Sequence, residues 1–218
     1  MALTTYAGLS TGVYARLNRT AISADFDVFL SLAEAEIKRR LALSPVRPMH
    51  TVATATVSTA YLAAPTDILD VDSLSVADGG DVFELKPTNP QSMTAMYQRD
   101  DTTDRPEYYA QVGTEFRFWP QPDTSYTLTL IYWAHLPALT SSATTNWLSL
   151  AHPDVYYHGV LAHAYQEYFD QENADIQAGL FDLALQKVLD AYPSRPDRTG
   201  LRSEISPNQL SNWPFLLT

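Results

Sequence analysis

The chain of 218 residues contains no cysteine. Disulfides, thiolate nucleophiles and thiolate-held zinc are therefore excluded, and the lack of a disulfide framework suits a cytosolic fold. No run of about 18 apolar residues occurs, so no segment reads as membrane-spanning. The opening "MALTTYAGLSTG" has neither a basic stretch nor an apolar core and does not read as a signal peptide. Positive charge is scarce: 14 Lys and Arg stand against 25 Asp and Glu, a formal net charge of −11. Such a chain does not bind nucleic acid through its overall field. There is also no G-x-S-x-G elbow and no glycine loop of the phosphate-binding kind. The length suffices for one large domain or two small ones with a real core.

What charge there is lies unevenly. Residues 67 to 84 carry Asp67, Asp70, Asp72, Asp78, Asp81 and Glu84 without a Lys or Arg. Residues 167 to 190 set Glu167, Asp170, Glu172, Asp175, Asp182 and Asp190 against Lys187. The segment 193–218 reverses the balance with Arg195, Arg198 and Arg202, and four prolines mark it as a separate unit.

Apolar spacing predicts the elements. "TTYAGLSTGVYARLN" is a short helix with Leu9, Val13 and Leu17 four residues apart. "SADFDVFLSLAEAEIKRRLAL" is a longer one, with Phe26, Phe29, Leu30, Ala33, Ile37 and Leu41 on a single stripe. Ser23 or Asp25 caps it, and Pro45 and Pro48 stop it. "HTVATATVSTAYL" reads as a β-branched strand, and "PTDILDVDSLSV" as a turn and a second strand. Asp78-Gly79-Gly80-Asp81 is a hairpin turn into "VFEL". Asn89 and Pro90 open a short helix. "EYYAQVGTEFRFWP" and "SYTLTLIYWAHL", joined by "PQPDT", are expected to form a hairpin, with Tyr126, Leu128, Leu130 and Tyr132 on one face.

The densest stretch is "NWLSLAHPDVYYHGVLAHAYQEYFDQE", residues 146 to 172. Pro153 and Asp154 suit a helix start, and Tyr157, Val160, Leu161, Ala164, Tyr165 and Tyr168 are expected on one face. A second helix over 173–191 repeats the pattern with Ile176, Leu180, Ala184 and Val188 and with Phe181, Leu185 and Leu189. The short link makes the pair antiparallel. Three histidines here raise the question of a metal. A helical zinc pair needs ligands four residues apart. His158 and His163 are five apart, about 140° around a helix at 3.6 residues per turn, and His152 precedes the helix. No metal or other cofactor is expected, His163 is expected at the surface, and the tyrosines read as packing or as the border of an interface. "DILDVD" and "DGGD" lack the EF-hand spacing and read as exposed turn acids.

Taken in order, these motifs resemble a known family. "FDVFLSLAEAEIKRRLAL" is similar to the opening helix of tailed-bacteriophage head-to-tail adaptor proteins. "ATVSTAYLAAPTDILDVDSLSV" resembles the family's threonine-rich strand and following turn. "SYTLTLIYWAHLPALTSSATTNWLSLAHPDVYYHGVLAHAYQEY" resembles its strand, "N-W-L" step and "P-D-x-Y-x-Y-G" helix. The likeness covers about residues 22 to 192. His163 stands where the family often has an acid, and "YLAAPTDILD" carries an extra residue before its proline.

The element order reads as an α+β fold: N-terminal helices over 1–45, an antiparallel β domain with a short inserted helix over 46–150, a helical hairpin over 151–192 and an extended arm over 193–218. The tail after 193 carries no motif of the family. The resemblance implies a structural virion protein and no enzyme. Such adaptors form a ring, usually of twelve copies, beneath the portal protein, receive the tail, a nozzle or a tail-completion protein, and leave a channel through which DNA passes without specific binding. Assembly in the bacterial host cytoplasm, no membrane and a place at the head–tail junction follow. Acidic stretches then suit a surface that DNA slides past. The residues expected to meet partners are Tyr157 and Tyr165 on the helix, and Arg195, Arg198, Arg202, Trp213, Phe215, Leu216 and Leu217 in the arm, whose apolar end gains nothing from solvent. The alternative is a carbohydrate-binding β module of a phage tail, with the hairpin aromatics as a stacking platform.

Overall fold

The computed structural model describes residues 3–18 and 23–193. The arm residues Arg195, Arg198, Arg202, Trp213, Phe215, Leu216 and Leu217, and the Ser23 side chain proposed as a cap, lie outside the described residues.

Helix α1 spans Tyr6–Leu17, opened by the Thr5 side chain, which accepts from the Gly8 N–H, and closed by Asn18 at φ 52°. A side-chain oxygen at the first position and a left-handed residue at the end satisfy the terminal backbone groups. Leu9 and Val13 are buried, while Leu17 packs only partly against the core. Helix α2 spans Ser23–Leu43, as its stripe predicts, and all six stripe residues from Phe26 to Leu41 are buried.

The threonine-rich stretch is not one strand. It divides into β1 (His50–Val57) and β2 (Tyr61–Ala63), which join different sheets. Strand β3 (Ile68–Asp78) turns through Gly79 and Gly80, at φ 60° and 99°, into β4 (Asp81–Glu84). Only glycine adopts such angles in succession without strain, so this turn is fixed by sequence. A two-residue β5 (Lys86–Pro87) and helix α3 (Pro90–Arg99) follow, with Asn89 as the cap.

Strands β6 (Tyr108–Val112) and β7 (Glu115–Trp119) pair with each other about Gly113 at φ 63°. Strand β8 (Tyr126–Ala134) pairs instead with β1 and β3. The hairpin expected between 107–120 and 125–136 therefore does not form. The chain has already reversed at Gly113, and the link beyond β7 carries Pro120 and Pro122, both buried, which have no N–H to give a ladder. It crosses to the other sheet. The orders are β1-β8-β3-β4 and β2-β7-β6-β5. The predicted face survives the change of partner: Phe116, Phe118, Tyr126, Leu128, Leu130 and Tyr132 are all buried in the core the two sheets share.

Beyond β8 the chain returns to the helices through α4 (Trp147–Ala151), which the periodicity did not reveal, then α5 (Pro153–Glu167) and α6 (Gln171–Ala191). The class is α+β, with helical N- and C-terminal parts around two strand-built sheets. A second core joins α1, α2, α5 and α6, and Trp133, Leu136 and Leu139 extend into it from the end of β8. Two details depart from the periodicity. Tyr156, fully buried, occupies the centre of α5 where Tyr157 was expected, and Ile176 and Leu180 lie outside the core of α6, 53% and 38% exposed.

Candidate functional site

The tyrosines of α5 hold together helices of one copy. Tyr157 and Tyr165 are half-buried against the helical core. Tyr157 lies beside α1, where a Cβ on Gly12 would come 3.7 Å from its ring. Tyr168 meets Phe29 of α2 edge-on, with centroids 6.0 Å apart.

The three histidines do not converge. His158 Nδ1 lies 2.8 Å from Gln177 Oε1 of α6. His152 stands against the Tyr192 ring. His163 is half-buried rather than at the surface, in a groove between α2, α5 and α6 with Glu36, Arg40, Asp175 and Asp182. Burial holds its pKa below the ordinary 6.5, Glu36 opposes that, and Arg39 adds to it. Among the described residues no three His, Asp or Glu side chains gather as a metal site.

A polar clasp fixes the return from the sheets. Glu34, only 6% exposed, accepts from the Leu139 N–H at 2.6 Å and lies 3.6 Å from the Lys38 ammonium. Asn146 donates through Nδ2 to the Pro137 carbonyl and the Tyr156 hydroxyl, both at 2.7 Å. Its Oδ1 caps α4 through the Ser149 N–H. Burial pushes the Tyr156 hydroxyl well above its usual pKa, so it stays protonated. Buried polar groups satisfied in this way specify one path for the loop. The sequence signal was limited to the "N-W-L" step.

The acids divide by use. Asp67 accepts from Tyr132, Asp72 pairs with His50 at 3.5 Å, and Asp78 lies 3.8 Å from Arg105. Asp81 and Glu84 stand exposed on β4. Tyr132 is pushed above its ordinary pKa by burial, with the Asp67 bond adding to it.

Two helices carry a second apolar stripe. On α2, Val28 and Leu32 are 55% and 48% exposed, and Ala35 continues their line. At about 100° per residue this stripe lies opposite the buried face. On α6, Ile176, Leu180 and Leu183 are exposed at i, i+4 and i+7. Their stripe stands roughly 125° from the buried face by the same geometry. It lies on the side away from Asp182, whose carboxylate meets Arg40 of α2 at 3.1 Å. The two stripes thus lie on different helices and each faces away from the shared core. Periodicity alone missed this, because Ile176 and Leu180 also fit a core pattern. By contrast, the aromatics required for a sugar platform, Phe116, Phe118, Tyr126 and Tyr132, are interior.

The helices contain no segment long and apolar enough to cross a membrane, among the described residues. Comparison with protein families matches the chain to the SU10 adaptor protein model over residues 4–208. No curated protein matches it.

Proposed function

Because the chain belongs to the SU10 adaptor protein family, we propose that it builds a ring, of twelve copies, beneath the portal of a tailed bacteriophage. The family match over nearly the whole chain carries this reading. A phage adaptor is a structural component of the virion, and the ring gives that role a form: portal above, tail, nozzle or tail-completion protein below, and an axial channel for DNA.

The helical parts, residues 1–45 and 151–192, form the layer in which copies meet. The strand-rich part, 46–150, presents surface to the channel or the tail, where exposed acids such as Asp81 and Glu84 repel phosphate. The segment 193–218 docks on the portal or a neighbour through its arginines and aromatic end. Assembly takes place in the host cytoplasm.

Two outward apolar stripes on different faces support this reading. A closed ring of identical chains needs one surface to meet a different surface of the next copy. Mixing the full chain with its purified portal and sedimenting the mixture tests the role. Co-sedimentation as a multimer is expected, with no signal on a glycan array. Binding to glycans by a chain that ignores the portal supports the carbohydrate-binding module instead.

A further inference from the structure

The stripes also select a pairing. We propose, building on the ring reading above, that the outer stripe of α2 in one copy packs antiparallel against the outer stripe of α6 in the next. The charges at the stripe ends set the direction. Asp25 lies at the N-terminal end of the α2 stripe and Arg39 towards its other end; on α6, Glu172 comes first and Lys187 lies past Leu183 on the line of the stripe, with Asp190, bonded to Gln186, beyond it. Arg39, Glu172 and Lys187 are exposed, and none forms a salt bridge with a described residue. Antiparallel, Arg39 meets Glu172 and Asp25 meets Lys187. Parallel, acid meets acid and base meets base, which is repulsive.

Spacing fixes the register. Val28 and Arg39 are eleven residues apart, as are Glu172 and Leu183, a span of roughly 16 Å of helix. With Arg39 on Glu172, Val28 falls on Leu183 and Ala35 on Ile176, while Leu32 falls on Gly179, one residue from Leu180. Val28 and Ala35 then meet apolar residues directly, and Leu32 packs over Gly179 beside Leu180. Small Ala35 opposite branched Ile176 suits close helix packing. Because the two stripes are different surfaces of one copy, each copy offers α2 to one neighbour and α6 to the other, and the contact propagates head to tail.

The absence of native cysteine makes the test direct. Full-length A35C/I176C, assembled on particles and oxidised, is expected to run on a non-reducing gel as a ladder of linked multimers that collapses on reduction. A35C alone and A35C/Q186C are expected to give none, since a disulfide needs Cβ atoms roughly 4 Å apart. Independently, R39E and E172R are each expected to weaken assembly several-fold, and a mixture of the two chains to restore it in alternating order. A ring that assembles at full size without a ladder overturns this pairing and leaves the ring reading standing, as does a ladder that stops at dimers. A chain that stays monomeric on its particle overturns both.

Discussion

Glu34 shows how one side chain can hold two parts of the molecule together. It sits on α2, yet its carboxylate accepts the N–H of Leu139, on the far side of the whole strand-rich segment in sequence. An unmade bond at a buried donor costs about 1–3 kcal/mol. Glu34→Ala is therefore expected to lower unfolding free energy by about that amount, measured by urea denaturation. A change such as Glu36→Ala, which loses an i,i+4 pair with Arg40 and a charge beside His163, is expected to cost under about 1 kcal/mol. Equal effects would remove the clasp from the account. None of this was legible beforehand. Glu34 lies in a run of charged and apolar residues whose pattern says helix, and its burial depends on a loop more than a hundred positions away.

At the scale of elements, legibility followed local rules. The span of α2, the Gly79-Gly80 turn and the Asn89 cap follow local rules and were read correctly, but Asp25, offered as a cap, lies within the first turn of α2. Pairing was not legible. The strand face with Tyr126 and Leu128 was legible from alternation, but its partner depended on Gly113 closing β6 on β7 and on two prolines that end the ladder. The helical layer offers a sharper test in two glycines. Gly159 of α5 sits where a Cβ would come 3.0 Å from the Phe181 ring and 3.3 Å from Ala33, so α2, α5 and α6 meet there. Gly179 of α6 has open space. Gly159→Leu is expected to destabilise the isolated chain by roughly 1–3 kcal/mol through overpacking. Gly179→Ala is expected to stabilise it by up to about 1 kcal/mol, the helix-propensity gain. Thermal melts of the two variants check this, and a stabilised Gly159→Leu would contradict the packing.

At the scale of the whole molecule, the order of motifs resembled that of a structural phage adaptor, and the family match agrees. What sequence could not give was the surface. Val28 and Leu32 lie outside the buried stripe of α2, and Ile176 and Leu180 fit a core pattern on α6 yet are exposed, because exposure is a property of how three helices pack rather than of one. Those residues leave apolar surface exposed on two helices, and the proposed pairing of copies covers both. Reconstruction of the particle's neck by electron cryo-microscopy, without imposed symmetry, tests the central claim most directly. The account predicts one closed ring below the portal, with α2 of each copy lying against α6 of the next. A two-fold dimer at the neck, or a neck from which this chain is missing, would contradict it.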